Sequence, residues 1–323
     1  MAVSRRNFLR GAAAGGAAAA CAAAVTEPAA ARENLQMPPK AVGLLYDSTL
    51  CVGCKACVAA CRDANGLAPE FTTDEKIWDT AVDISGKTIT VIKLYTDGTA
   101  KHKDQEKDGF AFMKRSCLHC VDPSCVSVCP VSAMTKDPET GIVSHEPADC
   151  IGCRYCVVAC PFGVPQFEFD KAFPKLLKCE MCKHRQAEGK IPACAEVCPT
   201  GATLFGPMTA LKAEADRRTS TAPGVPTDYM RKTVDSTDVH ERPNAAYVKH
   251  TYGTTEVGGT QMLLLSGVPF EKMGYPALRE RSYASEAETI QEGIYGGFVA
   301  PMALFAGLLF MARKNTKNHG EEE

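Results

Sequence analysis

Sixteen of the seventeen cysteines in this 323-residue chain fall into four groups of four, and no other feature restricts the fold as strongly. We call these groups the first to fourth quartets, in chain order. They are Cys51, Cys54, Cys57 and Cys61; Cys117, Cys120, Cys125 and Cys129; Cys150, Cys153, Cys156 and Cys160; and Cys179, Cys182, Cys194 and Cys198. Only Cys21 lies outside them. We therefore interpret most of the chain as a scaffold that positions sixteen thiol groups.

The spacing within the quartets favours iron–sulfur clusters over other uses of cysteine. The first and third quartets read CxxCxxCxxxC, the run that ligates clusters in bacterial ferredoxins, while the second and fourth lengthen one gap. Disulfides are one alternative, because the chain also carries an export signal and exported proteins commonly oxidise their thiols. Zinc is another, but four-cysteine zinc sites usually consist of two CxxC pairs with a long spacer. We therefore predict four [4Fe-4S] clusters as cofactors.

Residues 1–31 have the features of a twin-arginine signal peptide. The consecutive arginines Arg5 and Arg6 precede an alanine-rich, weakly apolar run over residues 11–25, and small residues follow at a suitable cleavage site. A disordered alanine-rich tail is the alternative. Export of a folded protein would allow clusters to be assembled in the reducing cytosol, so that the thiolates would be protected from disulfide formation.

Residues 293–312 form an uncharged run near the C-terminus. A helix of this length is about 30 Å long, which matches the hydrocarbon core of a bilayer, so we predict a transmembrane helix; a buried core helix is the alternative. Arg313 and Lys314 follow it, and positive charge is retained on the cytoplasmic side. The prediction therefore places residues 313–323 in the cytoplasm as a tail, and residues 32–290 on the periplasmic side of the bacterial inner membrane.

Residues 32–290 are predicted to be a four-cluster electron-transfer region of the α+β class. It consists of two ferredoxin-like 2x[4Fe-4S] modules with inserted and C-terminal extensions. Alternating β-branched residues and turn signals predict strands at Thr88–Tyr95, Phe110–Lys114, Ile142–Ser144 and Gln261–Leu265, and a helix at Met208–Arg218. Short strands flanking cysteine loops are the expected layout of such modules.

The duplicated spacing also suggests how the quartets share ligands. In two-cluster ferredoxins the fourth cysteine of one run ligates the other cluster, so quartets exchange ligands in pairs. We predict a nested exchange, inner with inner and outer with outer. It gives site 1 (Cys51, Cys54, Cys57 and Cys198), site 2 (Cys117, Cys120, Cys125 and Cys160), site 3 (Cys150, Cys153, Cys156 and Cys129) and site 4 (Cys179, Cys182, Cys194 and Cys61). Because every ligand is cysteine, no iron is left open for substrate, and the prediction is electron relay without catalysis.

Several runs together resemble a known family. LYDSTLCVGCKAC, CLHCVDPSCVSVCPVSAMTKDPETGIV, CIGCRYCVVACPFGVP and the late ARKNTKN are similar to the membrane-anchored iron-sulfur subunit of hydrogenase-2-type periplasmic nickel-iron hydrogenases. The resemblance covers essentially the whole mature chain. It implies that electrons pass from the hydrogenase small and large subunits to an integral membrane quinone-reactive subunit. Cys61 is followed by Arg62, which departs from the Cys-Pro ending of the other three quartets.

Other functions fit part of the pattern. The electron-transfer subunit of a respiratory formate dehydrogenase is similar in having four clusters and a C-terminal helix. A self-contained iron–sulfur enzyme would need an active site in the cysteine-free stretches, where we find neither a nucleophile–base pair nor a phosphate loop. A cluster-bearing structural anchor without electron flow is a third alternative. A formal net charge of −2 gives no basic surface for nucleic acid.

Overall fold

The fold is taken from a computed structural model that describes residues 32–70, 83–171 and 174–319. The predicted signal peptide, residues 1–31, lies outside the described residues. The described chain belongs to two compact units. One spans residues 34–284 and contains all four quartets, and the other contains Arg32, Glu33 and residues 285–319. Each unit is described by itself below.

Twelve short strands are found in the described part of the first unit. They are β1 (Val42–Asp47), β2 (Val91–Thr96), β3 (His102–Lys103), β4 (Gly109–Arg115), β5 (Met134–Lys136), β6 (Val143–His145), β7 (Gln166–Phe167), β8 (Leu176–Leu177), β9 (Thr203–Pro207), β10 (Pro226–Met230), β11 (Val239–Pro243) and β12 (Met262–Leu265). They form five small sheets, ordered β12-β1-β9, β2-β4-β3, β5-β6, β7-β8 and β10-β11.

The helices are also short, with one exception. They are α1 (Ala56–Ala64), α2 (Ser124–Ser127), α3 (Tyr155–Ala159), α4 (Lys183–Ala187), α5 (Ala193–Glu196), α6 (Met208–Ser220) and α7 (Tyr283–His319), with single 3₁₀ turns at Glu256–Gly258 and Phe270–Met273. Together with the small sheets they give the mixed helix and strand content expected of the α+β class.

The sheet β12-β1-β9 divides the core into two layers. β1 pairs in parallel with β12 and antiparallel with β9. Side chains alternate between the faces of a strand, so Leu45, Leu204 and Leu263 all reach one face, where Leu211 of α6 covers them. The opposite face joins the large core around the cysteines. Each fully buried leucine contributes about 1.5–3 kcal/mol through the hydrophobic effect.

The inserted strands pair as the sequence predicts. β2 and β4 are antiparallel, with Val91 opposite Arg115, so the strands predicted at Thr88–Tyr95 and Phe110–Lys114 are confirmed within a few residues. The predicted helix at Met208 is α6, and the strand predicted at Gln261–Leu265 is β12. The hairpin β10-β11 was not predicted, because β11 is largely exposed and β10 buries only Thr227 and Tyr229, which gives no apolar alternation in the sequence.

The second unit contains most of the long helix α7. Arg32 is joined to it by an ion pair between its Nε and Glu288 Oε2 at 2.5 Å. The predicted helix over residues 293–312 is present as part of α7. Within residues 32–70, 83–171 and 174–319, however, no helix is both long enough and apolar enough to cross a membrane. The membrane-spanning part of that prediction is therefore not supported.

Candidate iron–sulfur sites

Each quartet opens with the same backbone turn. The residue two positions after the first cysteine has a positive φ in all four quartets, at Gly53 (68°), His119 (49°), Gly152 (70°) and Met181 (51°). This conformation turns the following peptide groups inward, and the amides of Gly53 and Met181 donate hydrogen bonds to the sulfurs that begin their quartets, at 3.4 Å and 3.3 Å. Glycine adopts it freely, whereas a residue with a Cβ pays about 1–2 kcal/mol.

A short helix then carries the third cysteine of every quartet. Cys57, Cys125, Cys156 and Cys194 each occupy the second position of a helix, in α1, α2, α3 and α5 respectively. The fourth cysteine lies one turn further along the same helix in the first quartet (Cys61) and just beyond the end of the helix in the other three (Cys129, Cys160 and Cys198). The helix therefore separates the fourth thiol from the first three, which is the geometry that an exchange of ligands between quartets requires.

The structure brings the sixteen cysteines together in the four predicted sets. Three sets each line a small cavity of their own, at sites 1, 4 and 3. In every cavity, three cysteines of one quartet meet the fourth cysteine of another. Among the described residues, no three His, Cys, Asp or Glu side chains converge closely enough to hold a single metal ion.

Site 2 forms a similar cluster of thiols. Burial raises the pKa of Cys120 well above its usual value, and negative charge on Cys160, Cys125 and Cys117 raises it further. These are the four predicted ligands of site 2. Like charges affect one another in this way only at short range in a poorly solvated interior. Cys160, the fourth cysteine of the third quartet, therefore lies with the first three cysteines of the second.

The same electrostatic coupling orders the four sites. Burial raises the pKa of three thiols, and negative charge on a cysteine of another site raises each pKa further. The charge on Cys194 (site 4) acts on Cys57 (site 1), that on Cys117 (site 2) acts on Cys179 (site 4), and that on Cys156 (site 3) acts on Cys125 (site 2). These interactions therefore link site 1 to site 4, site 4 to site 2, and site 2 to site 3. Cys54 and Cys153 are exposed, so the two terminal sites reach the surface.

The residues that line the four candidate sites are chemically suited to hold anionic clusters. Burial raises the pKa of Cys57 and Cys61 to about 12 and that of Cys156 to about 11. Such thiols keep their protons near neutral pH unless iron displaces them, so assembly of a cluster releases protons. Two buried nitrogens, Lys114 Nζ at site 4 and His145 Nε2 at site 3, have no hydrogen-bond partner among the described atoms. Sulfur atoms of a bound cluster could accept hydrogen bonds from both.

Backbone amides also reach the exchanged cysteines. Met134 N lies 3.5 Å from Cys129 Sγ, and Val164 N lies 3.5 Å from Cys160 Sγ. Hydrogen bonds to cluster sulfur are one of the means by which a protein sets a reduction potential. Neither these amides nor Lys114 were identified from the sequence. For Lys114, the signal is a lysine directly after the apolar residues of β4, and it is ambiguous because edge strands carry lysines too.

Comparison with known proteins places the whole chain among related sequences. Residues 109–208 match the family described as the 4Fe-4S dicluster domain. The chain is 44% identical over 321 residues to the hydrogenase-2 operon protein HybA of Escherichia coli O157:H7, covering 98% of this chain and 97% of that protein. It is 28% identical over 284 residues to the formate dehydrogenase-O iron-sulfur subunit of Escherichia coli K12, covering 87% and 86%. It is 34% identical over 222 residues to the NrfC homolog of Haemophilus influenzae, covering 68% and 87%.

Proposed function

We propose a function from the premise that this chain belongs to the family that includes the hydrogenase-2 operon protein HybA. It is an iron–sulfur electron-transfer subunit, and it carries four [4Fe-4S] clusters. In the proposal, electrons come from hydrogenase small and large subunits that oxidise hydrogen, and an integral membrane quinone-reactive subunit receives them. The chain itself is non-catalytic.

The observation that carries this proposal is the grouping of sixteen cysteines into four sets, each built from two quartets. We propose that each set ligates one cluster as the nested exchange predicts. One electron at a time would then pass along the order site 1, site 4, site 2, site 3, in either direction. At each transfer one site is oxidised and its neighbour reduced. The surface position of the two terminal sites supports one as the point of entry and the other as the point of exit.

We also propose the location of the protein. The arginine pair in residues 1–31 supports export by the twin-arginine route to the periplasmic side of the inner membrane. In α7, Ile294, Phe298, Phe305 and Phe310 are exposed apolar side chains. They support attachment through α7 to the proposed membrane partner, with residues 313–323 as a tail. Removal of residues 291–323 should release the chain from washed membranes while its four clusters remain assembled.

The ligand exchange is tested by replacing an exchanged cysteine. Cys129→Ser should remove or convert the cluster of site 3, which lowers the iron content by up to about four atoms per chain, and should leave site 2 intact. Iron analysis and electron paramagnetic resonance (EPR) of the reduced protein would measure the change. Cys21→Ser, which alters the one cysteine outside the quartets, is the matched control. Damage confined to site 2 would refute the nested exchange.

The related formate dehydrogenase subunit gives a second candidate function, because it also aligns over most of the chain. The two candidates differ in the catalytic partner. Purification of the intact complex from membranes, followed by hydrogen- and formate-dependent reduction of the clusters, separates them. Reduction by hydrogen supports the hydrogenase role, and reduction by formate alone refutes it.

A further inference from the structure

Lys114 is a buried cation that the proposed ligation of the clusters does not use. It lies in β4 and its side chain is 1% exposed. Its Nζ has no hydrogen-bond partner within the described residues. A charge removed from water without compensation is strongly unfavourable, so a lysine is retained at such a position only if negative charge lies nearby.

Two of the proposed cluster sites lie beside this lysine. Lys114 lines the cavity of site 4 together with Cys61 and Cys194. In the β2–β4 pair it stands opposite Ile92, which lines the cavity of site 1. Residues opposite each other in an antiparallel pair project from the same face of the sheet, so Lys114 lies between the two sites. Ligand thiolates of bound clusters would supply the negative charge that its burial requires.

A second buried lysine has a different environment. Lys178 Nζ donates hydrogen bonds to the carbonyl oxygens of Val143 and Cys179, so its ammonium group is compensated by the backbone and its presence has a structural explanation. Lys114 has no such backbone acceptor. The sulfur atoms that line site 4, and those of site 1 on the other side of Ile92, are therefore the groups left to compensate its charge.

We propose that Lys114 is a positioning residue for electron transfer, whose buried charge stabilises an added electron on either site 1 or site 4. This inference rests on the proposed function. When an electron passes between the two sites, one is oxidised by one electron and the other is reduced by one electron, and Lys114 keeps its proton throughout. Because one cation stabilises both reduced sites, both reduction potentials are raised, and the electron remains close to the same positive charge during the step.

The test is a redox titration of the cluster-loaded full chain, followed by EPR. Lys114→Met preserves the apolar stem and removes the charge. We expect two of the four couples to become at least tenfold harder to reduce, which is 59 mV for each factor of ten in a one-electron couple, and the other two to stay unchanged. Lys114→Arg should restore the two potentials. Lys101→Met, which removes an exposed lysine, is the matched control and should change none of the four.

Two results would overturn the role of Lys114. One is intact clusters whose four potentials do not change; the other is an equal shift of all four, which would indicate a general change in the protein. If Lys114→Met fails to bind iron, Lys114→Gln is measured in the same way, and loss of iron from both variants would make the residue structural and overturn the proposal. A wild-type chain without four clusters would instead refute the proposed function itself.

Discussion

Arg218 holds together the polar part of the core next to site 1, and its removal should be costly. Its side chain is completely buried. Its Nη1 lies 2.9 Å from Asp47 Oδ2, and its Nε lies 2.7 Å from Glu214 Oε1. Its guanidinium group also stacks over the ring of Tyr229, 4.9 Å from the centroid. The substitution Arg218→Met would leave the buried carboxylate of Asp47 without its cation.

The loss of stability in Arg218→Met depends on the contacts that Asp47 and Glu214 keep after the substitution. Removing one partner of a buried ion pair costs about 3–5 kcal/mol, because the other charge stays buried. Asp47 keeps its hydrogen bonds from Tyr247 Oη at 2.7 Å and Thr49 Oγ1 at 2.7 Å, and Glu214 keeps its pair with Arg217. These contacts favour the lower part of the range, about 3 kcal/mol. For a body of this size, that free energy corresponds to a fall in melting temperature of about 6–12 °C.

Thermal melting of the cluster-loaded protein, followed by circular dichroism and by cluster absorbance, measures this effect. Arg217→Met is the matched control. Arg217 pairs with Glu214, as Arg218 does, but from a partly exposed position, so its replacement should lower the free energy of unfolding by about 1 kcal/mol or less. Asp47 precedes the turn that leads to Cys51, so site 1 should be lost before the other sites. A melting temperature for Arg218→Met equal to that of Arg217→Met would refute the reasoning.

Two further substitutions test local features of the fold. Gly43→Ala would place a Cβ 2.1 Å from Met208 Sδ and 2.3 Å from Gln261 O, so we expect destabilisation by about 1–3 kcal/mol in thermal melting; a neutral result would contradict the close approach. Asp137 accepts hydrogen bonds from the backbone of Thr140 and Glu139, which hold the pKa of its carboxyl group below the ordinary value. Its contribution to stability is therefore present above about pH 4 and is lost as the pH falls through the lowered pKa, so Asp137→Asn should melt below wild type at neutral pH and match it at about pH 2.

The sequence predicted the elements whose pattern is local. The β2 segment is β-branched and alternating, β4 follows it after a turn, and α6 has a helical composition, so all three were found within a few residues. β1 was read only as an apolar segment before the first quartet. It is buried on both faces between β9 and β12, and such a strand gives a continuous apolar run without the period of two.

For the candidate sites as well, the sequence predicted what depends on local spacing and missed what depends on contacts between distant parts of the chain. The spacing of the cysteines predicted the four sets that the structure brings together, while their ligation of clusters stays a prediction. The positive φ of the turn could have been inferred at Gly53 and Gly152, where glycine signals it, but His119 and Met181 give no such signal. Lys114 could not be assigned, because its burial depends on strand pairing and on a cavity formed by quartets far apart in the chain.

In the proposed order of the sites, the middle junction differs from the other two. In the predicted ligand sets, sites 1 and 4 exchange cysteines with each other, and so do sites 2 and 3, so each of these pairs is linked through shared stretches of chain. Sites 4 and 2 share no quartet, and their spacing depends on non-covalent contacts. Residues on both sides of Cys179 supply them, since Lys178 Nζ donates to Val143 O and Glu180 Oε1 accepts from His145 N at 2.7 Å. Both bonds end on the three-residue strand β6, so we expect this strand to help fix the distance over which an electron passes between the two halves of the proposed relay.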